Sequence, residues 1–372
     1  MLYSAPLILT LSRGVLRDST LRVSDRKITD VGSRSTLLRQ YTGEPERYFP
    51  ETVLMPGLIN AHTHLEDGSL RERLSHRINP AEWQQDYVIG KKGLFLEDCA
   101  NAVHLGALES LRNGTTTLFD VSAGGAAFRV LYNERIRSVI FLEFTSSPEK
   151  TMETTFHQTL SLAEGFMGND ICNWGVAFSA LLTQEDSLLR QGLNYAVEQN
   201  VPLLHHAEAG LWGGCPTTLL PRRTLGVNLW PCEKGEFKEL TGMSVVVCPR
   251  SLAQWRKPED YPLRRLLEKG VNVCIGTESL AQVDSLDLFE DLNLLKRAFP
   301  ALKSESILRL SIQGGARAIG LSGVLGQIRP GFLADIIAVR TGTPDPDFIC
   351  DSLLLEEVEV VFVMVNGREI LV

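Results

Sequence analysis

Two rhythms of apolar and polar residues divide the chain. At both ends, short apolar stretches alternate with polar positions and are punctuated by Gly, Asn and Asp. "PLILTLSRGVL", "TLRVSDRKITDVGS" and "YFPETVLMPG" lie near the start, "ADIIAVRTG" and "VEVVFVMVNGREILV" near the finish. That pattern predicts strands joined by tight turns. Between the ends the rhythm changes. Eight apolar runs, "LMPGLINAH", "TTTLFDV", "SVIFLEF", "WGVAFSA", "VPLLHHA", "TLGVNL", "SVVVCP" and "VNVCIGT", are short and rich in β-branched residues, so they predict buried strands. Stretches with helical spacing lie between most of them: "EDCANAVHLGALESLRNG", "SLLRQGLNYAVEQN", "EKGEFKELTG" and "YPLRRLLEKG", several ending in Gly or Asn as helix C-termini do. Eight buried strands alternating with helices predict an α/β fold, a (β/α)8 TIM-type barrel whose chemistry sits on the loops after the strands.

Composition sharpens this picture by exclusion. With 372 residues and 44% hydrophobic content, the chain has the material for one barrel core. A formal charge of −8 without any dense Lys/Arg block argues against a nucleic-acid footprint. No run is long enough to span a membrane, and no basic segment precedes the apolar start "MLYSAPLILTLSRGVL". Neither an anchor nor a signal peptide is therefore expected, and a cytoplasmic setting is. The seven cysteines form no C-x-x-C pair and their number is odd, so they read as small core residues rather than a disulfide framework or a thiolate zinc site.

Candidate chemistry gathers where the predicted strands end. His62 and His64 follow the first run, Glu143 ends the third, His205, His206 and Glu208 follow the fifth, Asn228 the sixth and Glu278 the eighth. Two histidines one residue apart on a strand point the same way and can share one metal ion. A third imidazole and a carboxylate from other strands would complete a mixed nitrogen and oxygen shell with a position left for water, the layout of a catalytic site. By itself H-x-H is weak evidence and is better explained by two partly buried, hydrogen-bonded rings. Strict alternation would place His206 and Glu208 on one face and His205 on the other. Glu66 and Asp67 read as loop acids, and Trp83 in "NPAEWQQDYV" as a packing residue or the cap of a planar ring. A buried acid at Glu143 needs a partner.

The string "LMPGLINAHTHLE" resembles the first-strand signature of the amidohydrolase superfamily. The resemblance runs on through "NGTTTLFDV", "LLHHAE", "VVVCPRS", "IGTES" with "SLDLFEDL", and "LGQIRPGFLADIIAV". It is nearest to the branch of chlorohydrolase-like enzymes and nucleoside or aminofutalosine deaminases. It implies a barrel over 55–327 and a small β-sandwich built from 1–54 and 328–372. It also implies one divalent metal, zinc or else iron, and hydrolysis that releases ammonia from an amino-substituted nitrogen heterocycle. The ligands implied are His62, His64, His205 and Glu278. Glu208, three residues after His205, handles the proton, and that spacing selects His205 over His206. Asn228 orients the substrate, with Glu66, Trp83 and Glu143 around it. A small-molecule substrate and a homodimer are expected. No lysine lies between Lys150 and Lys234, where binuclear relatives carry a bridging one, so a single metal is implied.

Two positions depart from the family pattern. The sixth strand normally brings a histidine, and Asn228 stands there; no histidine follows His206. The eighth normally ends in Asp, and Glu278 replaces it. Glutamate keeps the oxygen donors but moves them by one methylene, whereas asparagine can donate a hydrogen bond and cannot exchange a proton. The competing expectation is therefore a catalytically silent barrel of the same fold that binds a ligand or a partner.

Overall fold

The structure is a computed structural model and describes residues 1–71, 73–74, 80–144, 161, 171–178, 187–206, 223–229, 240, 242–342 and 345–370. Strands β1 (Leu2–Leu9), β2 (Val15–Ser24), β3 (Lys27–Ser33), β4 (Glu46–Tyr48) and β5 (Thr52–Pro56) come from the N-terminal stretch. They join β14 (Ile336–Arg340), β15 (Glu359–Val365) and β16 (Arg368–Ile370) in one eight-stranded mixed sheet, ordered β16-β15-β14-β5-β1-β2-β3 with β4 beside β1. Residues from these strands, among them Ala5, Ile8, Leu21, Leu54, Ile336 and Phe362, make its buried face.

The second sheet is the barrel. Strands β6 (Leu58–Thr63), β7 (Thr115–Ser122), β8 (Arg137–Phe144), β9 (Cys172–Phe178), β10 (Leu203–His206), β11 (Thr224–Val227), β12 (Ser244–Val247) and β13 (Asn272–Ile275) pair in parallel in chain order. Each coincides with one of the eight apolar runs. The run "LMPGLINAH" is divided at Gly57: β5 before it belongs to the terminal sheet and β6 after it opens the barrel. Only glycine fits there, because a Cβ would fall 2.2 Å from the Thr116 side chain.

Every second strand residue faces inward. Ile59, Phe119, Phe141, Ala177, Leu204 and Val246 pack together inside, while Leu118, Ile140, Val245 and Val273 join the larger cluster under the outer helices. The seam between β13 and β6 is closed at its upper end. The amides of Thr277 and Glu278 both donate to His62 O at 3.2 Å. The Asn60 side chain donates to Thr277 Oγ1 at 2.8 Å and accepts from Thr277 N–H at 3.1 Å. Closure thus ties the first and last strands at the residues that carry His62 and Glu278. Of the predicted helices, Leu96–Arg112, Ser187–Glu198 and Leu263–Glu268 are present, and nearly all of the stretch 233–242 lies outside the described residues.

The two sheets are clasped by a buried ion pair. Arg137 Nε donates to Asp335 Oδ2 at 2.7 Å and Nη2 to Oδ1 at 3.1 Å, and Asn366 N–H donates to the same Oδ1 at 2.7 Å. Among the described residues, no helix is long and apolar enough to cross a membrane.

Candidate metal centre

Three imidazoles converge at the C-terminal mouth of the barrel. His62 is the penultimate residue of β6, His64 lies one step beyond its end, and His206 ends β10. His206 Nε2 lies 3.0 Å from His64 Nε2 and 3.3 Å from His62 Nε2. Glu278 brings its carboxylate from beyond β13, with Oε1 3.1 Å from His62 Nε2 and Oε2 3.9 Å from His64 Nε2.

This geometry corrects the choice of His205. Alternation holds to the last residue of β10: Leu204 is inside the barrel, so His206 is too, while Leu203 packs outward with Val176, Phe178 and Ala196. His205 shares the face of Leu203 and is not in the cluster formed by His62, His64 and His206. The motif spacing assumed that the strand had already ended. Glu208 lies outside the described residues.

The local chain explains the presentation of the first pair. The buried Asp120 on β7 accepts from the Thr63 hydroxyl and from Leu65 N–H, both at 2.8 Å, gripping the backbone on either side of His64. At the other end of the cluster, Glu278 has a φ of 68°, a left-handed conformation that costs a non-glycine residue about 1 kcal/mol or more. It is held there by the seam hydrogen bonds to His62 O. Asn228, the other departure from the family pattern, is left-handed as well, at φ 50°. Asparagine tolerates that region better than most residues. Its Oδ1 accepts from Cys248 N–H at 3.0 Å, tying together the C-terminal ends of β11 and β12. This carbonyl is therefore committed to the backbone, leaving the amide nitrogen as the group able to donate.

The donor set fits a cation. Burial drives the His64 ring well below its ordinary pKa, and burial with the neighbouring His62 takes His206 down to about 3, so both are neutral imidazoles at pH 7. Each close nitrogen pair can be bridged by at most one proton, yet three ring nitrogens lie within 4.8 Å of one another. Tetrahedral zinc at ~2.0–2.1 Å from its ligands spaces them ~3.3 Å apart, close to the separations here. For Glu278, burial acts to raise the carboxyl pKa, but the facing His62 and His206 with Lys91 outweigh it and hold it below the ordinary value.

The remaining predicted site residues are placed differently. Glu66 is not a solvated loop acid. It is buried, and its carboxylate takes the Ser122 hydroxyl and the amides of Ala123, Gly124 and Ala126 at 3.2, 3.1 and 2.9 Å. Its four donors make it a brace for the turn after β7. Trp83 is a packing residue: 5% exposed, it stacks on Tyr87 at 5.0 Å and meets Trp255 edge-on at 6.5 Å, among Leu70, Leu74 and Ala281. Glu143 faces the mouth, and its partner is Lys91, 3.8 Å away.

Sequence reasoning missed that lysine and its neighbours. Helix Pro80–Lys92 lays Lys91 and Tyr87 over the mouth. Lys91 Nζ reaches Asp67 Oδ1 at 3.3 Å and donates to Tyr87 Oη at 2.9 Å, while Tyr87 Oη donates to Asp67 Oδ2 at 2.5 Å. Asp67, far from solvated, is 1% exposed. Burial opposes the Lys91 charge, but Asp67, Tyr87 and Glu143 outweigh it and push the ammonium well above its usual pKa. The i,i+4 spacing of Tyr87 and Lys91 and the lone acid in "TTTLFDV" were the available signals.

The family model for the amidohydrolase family matches residues 53–219 and 223–370. The chain belongs to the amidohydrolase family. A 5-methylthioadenosine/S-adenosylhomocysteine deaminase of Syntrophobacter fumaroxidans is 30% identical over 326 residues, covering 78% of this chain and 73% of the relative. Among solved structures, an adenosine deaminase from Xanthomonas campestris with bound zinc superposes with a TM-score of 0.87 at 23% identity, covering 99% of this chain and 92% of the other. The Helicobacter pylori aminofutalosine deaminase in complex with methylthio-coformycin gives 0.82 at 18% identity, with both chains fully covered at 100%. At these identities the two structures show the shared fold.

Proposed function

We propose that this chain is a metal-dependent hydrolase that removes the amino group from the purine ring of an adenosine-type nucleoside. The observation that carries the proposal is the convergence of His62, His64 and His206 Nε2 with the Glu278 carboxylate at the barrel mouth. The Syntrophobacter relative, a 5-methylthioadenosine/S-adenosylhomocysteine deaminase, supports the substrate class. The four side chains would hold one divalent cation, and imidazole with carboxylate suits zinc, with iron the other candidate. When bound, that cation supplies Lewis acidity and makes a nucleophilic water available near neutral pH.

The chain's own groups do the rest. Neutral His64 and His206 offer lone pairs without first shedding a proton, and His62 turns its Nε2 to the same point. Glu208, two residues beyond His206, takes a proton from the attacking water and delivers it to the ring nitrogen and then to the leaving amine. A C–O bond forms, the C–N bond breaks, and ammonia departs. Asn228, whose carbonyl is held by Cys248 N–H, turns its amide nitrogen to donate to the substrate and fixes its orientation without proton exchange. A second reading, a silent barrel that binds nucleoside without turnover, is favoured by the same residue, since asparagine stands where the family has a titratable ring.

Zinc-loaded protein incubated with adenosine, 5-methylthioadenosine and S-adenosylhomocysteine separates the two. Ammonia release from at least one nucleoside, lost in Glu208→Gln with zinc retained, supports the deaminase. Zinc binding without ammonia from any of them supports the silent barrel.

A further inference from the structure

The cluster on helix Pro80–Lys92 has no part in the reaction as described, yet it is built into the mouth beside a candidate ligand. His64 turns Nε2 toward His206, which leaves Nδ1 on the far side of the ring, buried and without a hydrogen-bond partner. Among the described residues, the carboxylate within 4.0 Å of that nitrogen is Asp67, whose Oδ2 lies 3.8 Å away, three residues along the chain. Asp67 is itself held on both oxygens: Oδ2 accepts from Tyr87 Oη at 2.5 Å, and Oδ1 faces Lys91 Nζ at 3.3 Å. Tyr87 also accepts from Lys91 at 2.9 Å, so the two helix residues and the aspartate form a closed triangle. Stacking on Trp83 at 5.0 Å fixes the Tyr87 ring.

We propose that Asp67 is a positioning residue for His64, and that Tyr87 and Lys91 hold it in place for that role. A buried carboxylate facing Nδ1 favours the tautomer with the proton on that nitrogen, which is the tautomer that leaves Nε2 free to bind a metal. At 3.8 Å the contact is electrostatic rather than a hydrogen bond, and in a buried site an unscreened charge acts across that distance. The arrangement answers a problem that the sequence poses. A carboxylate buried this deeply is costly unless compensated, and the lysine compensates it without competing for the ring. The helix over the mouth is thereby coupled to the metal centre through one side chain.

This inference rests on the reading of His62, His64 and His206 as metal ligands, and the test keeps the two apart. Zinc affinity of the full chain is measured by competition with a chromogenic chelator, and the cobalt(II)-loaded protein is read by visible absorption. Wild type, Asp67→Asn and Tyr87→Phe are compared, with thermal melting of each metal-free form. We expect Asp67→Asn to weaken zinc binding about 10–100-fold and to alter the cobalt spectrum. Tyr87→Phe, which keeps the carboxylate and removes its hydrogen-bond donor, shifts affinity in the same direction by less. Should Asp67→Asn fail to fold, Tyr87→Phe decides the matter alone. Zinc affinity and cobalt spectrum as in wild type, with only the metal-free melting temperature lowered, would show a structural role and overturn the proposal. A wild-type chain that takes up no zinc overturns the metal reading beneath it, and the proposal with it.

Discussion

The terminal sheet and the barrel mouth handle charge in opposite ways. Around the sheet, several acids have a guanidinium close by: Arg22 with Glu44 at 2.7 Å, Arg34 with Glu46 at 2.7 Å, and, reaching over from β8, Arg137 with Asp335 at 2.7 Å. Arg22 and the N-terminal ammonium hold the Glu44 carboxyl down to about 2. At the mouth, Asp67 and Glu143 share the single Lys91 ammonium, and burial raises both carboxyls against its pull. Three ring nitrogens face one another within 4.8 Å. The sheet's polar groups satisfy each other, whereas the mouth's satisfy each other only in part. A buried cluster satisfied only in part is compatible with a bound cation.

The comparison is broken most strongly at the clasp. Arg137→Met leaves Asp335 buried without its charge partner and should destabilise the fold by about 3–5 kcal/mol in urea unfolding. Zinc affinity of the folded fraction should stay as in wild type. If metal binding fell in step with stability, the division between the two regions would be wrong.

Acidification attacks the other side. Burial lowers His205 to about 4, and burial with His62 lowers His206 to about 3, against 6.5 for an unperturbed ring. Below pH 6.5 the unfolded chain takes up protons that the folded chain refuses. Stability is therefore full above that value and is lost as pH falls toward 4 and then 3. His205 alone accounts for roughly 3 kcal/mol of the loss by pH 4. Denaturant unfolding of the metal-free protein at pH 7 and pH 4.5 should show the drop, and His205→Leu should reduce it. A pH-independent midpoint over this range would contradict the buried, neutral rings.

The smallest effect sharpens the role of Asn228. Asn228→Ala removes the acceptor for Cys248 N–H and puts alanine in left-handed backbone, a loss of about 1–2 kcal/mol by thermal unfolding. Asn228→Gly keeps the backbone unstrained and should recover part of it. Equal losses in the two variants would mean that the backbone conformation is not what asparagine supplies.

Much of the barrel was legible because strand burial leaves a simple trace. An all-parallel strand is apolar on both faces, so "SVVVCP" and "VNVCIGT" announce themselves. The H-x-H pair was legible for the same reason, since alternation puts both rings on one side. His206 was lost by abandoning alternation one residue early in favour of a motif spacing. Glu66 and Asp67 were misjudged because adjacent acids look alike in sequence. Their burial depends on the turn after β7 and on a helix that begins more than ten residues further on. The i,i+4 spacing of Tyr87 and Lys91 puts them on one helix face, but the direction of that face is set by how helix Pro80–Lys92 lies across the barrel.

The most direct test of the account is the metal content of purified wild type, His205→Ala and His206→Ala after zinc loading and dialysis. The account predicts about one zinc per chain in wild type and in His205→Ala, and none in His206→Ala. Zinc lost from His205→Ala and retained by His206→Ala would contradict it.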